Sequence, residues 1–268
     1  MKMEKPLVSL IVTTMNNQAT IDELLLSMKR QTYKNIETIL VDEYSTDDTL
    51  KIARKYKVII YRGGPERSIK RNIGIKKAKG KYIFIFDSDQ KLDKNLVEDC
   101  VEKIKDFDFL SIPELPYGPD FWARCHRFEK LAYLSGYTPV EAARFFPKDL
   151  VENIGGYDPE MVGAEDWDLT QRLLKKSYKM GYSKAMLQHN DGKYNLKKAL
   201  KRKFYYGQVF KKYAQKHPKA FSKAVIRPNF WLNYKLFFKN PILFTGAVLI
   251  RIVEGSAVIA GMLFNKNE

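Results

Sequence analysis

Tyr82-Ile83-Phe84-Ile85-Phe86 runs directly into Asp87-Ser88-Asp89. Five consecutive aromatic and β-branched residues predict a strand buried on both faces, the kind found inside a parallel sheet. Two carboxylates, two residues apart, then follow at the strand's C-terminal end. Such a pair can hold a hard divalent cation, which in turn bridges the oxygens of a diphosphate. An Asp-rich turn or a helix cap is the structural alternative.

Working outward, strand and helix patterns alternate. Leu7–Thr14, Ile36–Val41, Val58–Tyr61 and Phe109–Ile112 are further apolar strands. Between them Ile21–Arg30, Thr49–Tyr56, Ile69–Ala78 and Leu96–Ile104 carry helical spacing, the second opened by Ser45-Thr46-Asp47-Asp48. This alternation predicts an α/β fold with a parallel sheet covered on both faces. After residue 115 it stops. Asp120–Leu134 and Asp166–Lys175 are expected as helices, Glu141–Phe146 and Lys184–His189 as strands, and Leu196–Gln215 as a basic helix. The expected organisation is a catalytic domain over 1–192, a basic aromatic helical segment over 193–240 and an apolar helix over 241–268.

Ligands of open α/β sheets bind beyond the carboxyl ends of the strands. The polar residues there are Thr13 and Thr14, Asp42, and Asp87 with Asp89. Asp42 can accept hydrogen bonds from a nucleobase or ribose; capping of the next helix is its alternative. Arg67, Lys70 and Arg71 can meet phosphate oxygens, Arg71 bidentately, whereas a solvated helix face fits Lys70 equally well. Gly163-Ala164-Glu165-Asp166-Trp167-Asp168 opens a helix. A carboxylate in that first turn gains from the helix dipole and can serve as a general base, or it can simply cap the helix. His189, as a neutral imidazole, can complete a metal shell or be structural.

The 268 residues carry two cysteines, Cys100 and Cys125, without ligand or disulfide spacing, as in a reducing compartment. Residues 1–6 lead straight into a strand with no cleavage site, so the body is expected in the cytoplasm. Charge is distributed unevenly. Residues 193–239 hold fourteen Lys and Arg and no Asp or Glu, nearly all of the +16 net charge. The same stretch interleaves Phe204, Tyr205, Tyr206, Phe210, Tyr213, Phe221 and Phe230 among the cations. That composition suits an anionic bilayer surface. Nucleic acid would also attract the charge, but no DNA-reading or RNA-binding signature accompanies it, and it ranks lower. Pro241–Phe264 is mostly apolar, interrupted by Arg251 and Glu254. The uninterrupted stretches on either side are too short to cross a bilayer alone. A membrane-dipping or in-plane anchor is expected; a tilted span, a helix buried in a homodimer and an ordinary packing helix are the alternatives.

Several motifs together resemble the inverting family-2 glycosyltransferases, in order, over roughly residues 7–215. They are Val8–Thr14, Val41-Asp42-Glu-Tyr-Ser45-Thr46-Asp47-Asp48-Thr49, Lys70-Arg71-Asn72-Ile-Gly74, Asp87-Ser-Asp89, Ile154-Gly155-Gly156-Tyr-Asp158 and Gly163-Ala-Glu165-Asp166-Trp-Asp168-Leu-Thr-Gln-Arg172, with His189 following. Glu43-Tyr44 departs from the pattern, where many relatives carry a smaller residue or Gly before the Ser. The resemblance implies a GT-A fold and a metal-dependent transfer, with Mn2+ or Mg2+, from a nucleoside-diphosphate sugar. By the same resemblance Thr13, Asp42 and Arg71 belong to the donor site, and Asp87 and Asp89 to ribose and metal-diphosphate. Asp166 is the base, with Glu165 its supporting neighbour, and displacement at the anomeric carbon inverts configuration. With the membrane tail, the implied acceptor is a lipid-linked glycan at the cytoplasmic face. A polyprenyl-phosphate sugar synthase and a non-catalytic scaffold that keeps the fold are the rival readings.

Overall fold

The structure is a computed structural model, and it describes residues 5–134, 142–226 and 235–264. The chain divides into two compact units. The first comprises Met1–Pro113, Glu141–Glu160 and Glu165–Gln188, and the second Glu114–Val140, Met161–Ala164 and His189–Glu268.

The first unit is built on a seven-stranded sheet. Its strands are β1 (Val8–Thr14), β2 (Ile36–Asp42), β3 (Ile59–Arg62), β4 (Tyr82–Asp87), β6 (Phe109–Ser111), β8 (Ala143–Pro147) and β9 (Met180–Tyr182), in the order β3-β2-β1-β4-β8-β6-β9. The four leading strands pair in parallel, as the alternation requires. β8 runs antiparallel to both β4 and β6, so the sheet is mostly parallel with one reversed strand. The unit is thus an α/β fold with helices on both faces of the sheet.

Successive side chains of a strand point to opposite faces, and here each face finds helices to bury it. Val8, Leu10, Val12, Phe84 and Phe86 join Leu24, Leu25 and Met28 of α1 (Ile21–Lys29) and Leu96, Val97 and Cys100 of α4 (Leu96–Lys103) in one core. Ile11, Ile39, Ile83 and Ile85 meet Ile75 of α3 (Arg67–Lys77) and Leu169 and Leu173 of α7 (Glu165–Lys175) in the other. Contact between α3 and β1 depends on Gly74, where a Cβ would collide with the Ile11 side chain.

The helix expected over Thr49–Tyr56 is α2 (Thr49–Ala53) followed by a 3-10 turn, Arg54–Tyr56. Glu141 and residues 227–234 of the expected basic segment lie outside the described residues. Short elements without a periodic signal are β5 (Gln90–Leu92), β7 (Glu114–Tyr117) and α6 (Lys148–Asn153), whereas β10 (Leu187–Asn190) takes up the later part of the strand expected over Lys184–His189.

The second unit is helical. α5 (Phe121–Leu134), α8 (Leu196–Lys216), α9 (Pro218–Ile226), α10 (Lys235–Lys239) and α11 (Pro241–Leu263) make up most of it. Cys125, Ala247 and Ile250 form its small apolar core, with Phe121, Phe128 and Leu243 against it. α8 and α11 touch backbone to backbone where Gly207 meets the Val258 carbonyl and Gly261 the Phe204 carbonyl; any side chain at either glycine would force them apart.

Candidate active site

Strand register aligns the predicted polar residues along one edge of the sheet. Thr13 lies beside Asp87 on one neighbour, and Thr14 beside Asp42 on the other. β1 sits between β2 and β4, so this edge is the point where strand order reverses and α/β sheets take their ligands.

Asp42 is fully buried and organises the turn after β2. Its two oxygens accept from the Ser45 backbone N–H at 3.0 Å and from the Ser45 hydroxyl at 2.5 Å. Asp47 supplies the helix start, accepting from the Thr49 N–H at 3.0 Å, so Asp42 is not spent on capping α2. Lys70 is buried and paired with Glu43 rather than solvated, which gives Glu43 a structural partner. The next residue, Tyr44, stands exposed at φ 51°.

Arg71 connects the strand edge to the head of α7. It is completely buried, and its Nη2 donates to Asp87 Oδ1 at 2.9 Å. Its Nη1 donates to Asp166 Oδ1 at 2.7 Å and lies 3.3 Å from Glu165 Oε1. The Tyr157 ring stacks under the guanidinium at 5.0 Å. Asn72, the following residue, holds the backbone of Tyr157 from both sides, donating to its carbonyl and accepting from its N–H, each at 2.8 Å. The Lys-Arg-Asn-x-Gly motif is thereby accounted for residue by residue.

Two further arginines complete the cluster. Arg144 Nη2 donates to Asp87 Oδ2 at 3.2 Å, and Arg67 Nε lies 3.2 Å from Glu165 Oε1. Sequence reasoning missed Arg144, and it offered Arg67 to phosphate where the structure pairs it with Glu165. An arginine inside the apolar strand Ala143-Arg144-Phe145-Phe146 was the available signal for the first, because a buried guanidinium requires a carboxylate. Three guanidiniums meet three carboxylates, so this part of the cluster is charge-balanced.

Burial separates the adjacent acids. The Glu165 side chain is 3% exposed and that of Asp166 18%. Burial raises the Glu165 carboxyl above the usual carboxylate range, with Arg71 and Arg67 opposing it. Burial alone would lower the Arg71 pKa, but Asp166, Asp87, Tyr157 and Glu165 hold it well above its ordinary value. Asp168 plays a different part: it is fully buried and takes Arg172 Nε at 2.7 Å, while Arg172 donates to the Ile154 and Gly156 carbonyls.

Asp89 follows in the turn between β4 and β5, two residues beyond Asp87. Among the described residues no group of three or more His, Cys, Asp and Glu converges as a metal centre. A hard cation that uses one or two carboxylates and takes its other ligands from phosphate and water does not need such a group. Asp89, in the turn at the carboxyl end of β4, has the chemistry for this role. His189 belongs to the second unit, where its Nδ1 meets Glu114 Oε1 at 2.5 Å.

The sequence profile of glycosyl transferase family 2 matches residues 9–157, more than half of the chain. The chain belongs to glycosyl transferase family 2. An uncharacterized glycosyltransferase of Haemophilus influenzae is 35% identical over 106 residues, 35% of this chain and 42% of that protein. The Escherichia coli enzyme WfaP, a UDP-Glc:alpha-D-GlcNAc-diphosphoundecaprenol beta-1,3-glucosyltransferase, is 42% identical over 88 residues, 31% of this chain and 35% of that one. The chain thus matches less than half the length of either relative. Among solved structures, the mannosyltransferase PcManGT from Pyrobaculum calidifontis, in complex with GDP-Man and Mn2+, superposes with a TM-score of 0.71 at 19% identity, covering 99% of this chain and 89% of that one.

Proposed function

We propose that this protein is a metal-dependent, inverting glycosyltransferase. It moves a sugar from a nucleoside-diphosphate sugar to a hydroxyl of a lipid-linked glycan at the cytoplasmic face of a membrane. The observation that carries the reading is the Arg71 bridge, which ties the carboxylate at the end of β4 to the two carboxylates opening α7. Family membership supports the reaction class. The diphosphoundecaprenol in the name of WfaP supports a lipid-linked acceptor, and the GDP-Man and Mn2+ bound to PcManGT support the donor and metal classes.

In this reading Thr13 and the Asp42–Ser45 turn line the nucleotide side of the strand edge. Asp89 holds the cation, Mn2+ or Mg2+, which compensates the charge of the departing diphosphate. Asp166 is the general base. Its carboxylate sits in the first turn of α7 and is the more accessible of the two acids, so it takes the acceptor hydroxyl's proton as the anomeric carbon is attacked. Glu165 and Arg71 fix its position; Arg71 is a positioning residue, because burial keeps it from the donor.

The test is to incubate the protein and Mn2+ with a panel of nucleotide sugars and a polyprenyl-diphosphate-linked sugar. Transfer with inverted anomeric configuration, read by NMR, is expected. Transfer to bare polyprenyl phosphate alone would establish a polyprenyl-phosphate sugar synthase instead. Absence of transfer to either, in a protein that binds donor, would leave a scaffold.

A further inference from the structure

The exposed residues of α11 fall in a single stripe. Ile242, Thr245, Leu249, Ile252, Ser256, Ile259 and Leu263 are spaced alternately by three and four, the period of one helical face, and none is charged. Phe238 before the helix and Phe264 after it extend the apolar surface at both ends.

Both ionised groups of this helix turn the other way. Arg251 donates to Glu129 of α5 at 2.6 Å, and Glu254 is buried against Lys203 of α8 at 2.8 Å. His126 Nε2, 3.6 Å from Glu254, and the Tyr194 hydroxyl, at 3.5 Å, complete that pocket. Arg251 and Glu254 interrupt the apolar sequence, but they do not interrupt the apolar face.

We propose that α11 lies in the plane of an anionic bilayer, with the Ile242–Leu263 stripe entering the acyl boundary. This deepens the membrane-surface reading above and rests on it. A helix of 23 residues, about 34 Å long at 1.5 Å per residue, has the length to cross a membrane. Its neighbour forbids that. α8 packs backbone to backbone on α11 at Gly207 and Gly261, contains no acidic residue, and exposes Lys197, Lys198, Lys201, Arg202, Lys212 and Lys216. A spanning α11 would draw these cations into hydrocarbon, whereas an in-plane α11 keeps them within reach of anionic headgroups. The same spacing of exposed residues could seat a second copy of the helix. The positions flanking the stripe (Gly246, Val248, Val253, Gly255, Ala260 and Met262) carry no charge to set a register. Pairing would also bring two cationic α8 helices together, so the bilayer is the occupant that the charges fit.

The experiment uses the full chain and vesicles of phosphatidylcholine with or without phosphatidylglycerol. Wild type is expected to float with the anionic vesicles. The double variant Ile252→Lys/Ile259→Lys should lose that binding at least tenfold while keeping its melting temperature and its donor-dependent stabilisation. Fluorophores on Thr245→Cys, Ser256→Cys and Leu263→Cys should be quenched at equal depth by brominated lipids; Cys100 and Cys125 are buried and should not react. Retained binding by the double variant would overturn the assignment of this face but leave the membrane reading standing. A depth gradient across the three sites would establish a span and overturn the in-plane geometry. A wild type that binds no vesicles would remove the membrane reading itself, and a dimer dispersed by the lysines would make a second copy the occupant.

Discussion

Arg71 Nη1 and Asp166 Oδ1 meet at 2.7 Å, and the same guanidinium reaches Asp87 at 2.9 Å from its other terminal nitrogen. One buried side chain therefore sets the distance between the strand-end carboxylate and the proposed base. Lysine offers a single cationic nitrogen and cannot span both contacts. Arg71→Lys should lower kcat on the order of 10²-fold with a smaller change in donor KM, since it misplaces the base. Arg71→Met leaves buried carboxylates uncompensated and should cost about 3–5 kcal/mol, measured by chemical denaturation.

Asp166→Asn and Glu165→Gln separate the roles of the adjacent acids. The first should reduce transfer by about 10²–10⁴-fold with donor binding intact, because it removes the proton acceptor. The second keeps the base and disturbs only its support, so its loss should be smaller. Steady-state rates at saturating donor decide the matter, and a reversed ranking would make Glu165 the base.

The second unit carries its own pH dependence. Burial opposes protonation of His126, but bonds to Asp191 and Glu254 overcome it and raise its pKa from 6.5 to about 9. Burial likewise opposes ionisation of Glu254, yet His126 and Lys203 bring its pKa from 4.5 down to about 2. The His126 contribution is complete below pH 6.5 and lost as pH rises through 9; that of Glu254 is complete above pH 4.5 and lost as pH falls through 2. Wild type should therefore exceed His126→Gln in stability by an amount constant from pH 4.5 to 6.5, about 3 kcal/mol at most, shrinking toward pH 9. Melting curves of the two proteins across that range provide the check.

The first half of the fold is legible because its strands are long, apolar and regularly spaced between amphipathic helices. β5 and β9 have three residues each, too few to establish a period, and nothing local marks β8 as antiparallel. The strand-end acids are visible for the same reason as the strands: register brings Thr13 beside Asp87 and Thr14 beside Asp42. What the sequence could not display is the pairing across it. Arg71 is 16 residues from Asp87 and 95 from Asp166, and only the packing of α3 and α7 on one face of the sheet joins them. Arg144 enters the cluster from a strand whose direction the sequence leaves open.

Thermal stabilisation by nucleotide sugars tests the central claim most directly. Wild type and Asp89→Ala would be melted against a donor panel with Mn2+ or Mg2+, and again with EDTA. One donor class should stabilise the wild type by about 2.7 kcal/mol at one hundred times its dissociation constant. That gain should vanish with EDTA and in Asp89→Ala. Wild-type protein that no nucleotide sugar stabilises, with or without metal, would contradict the assignment of this chain as a metal-dependent glycosyltransferase.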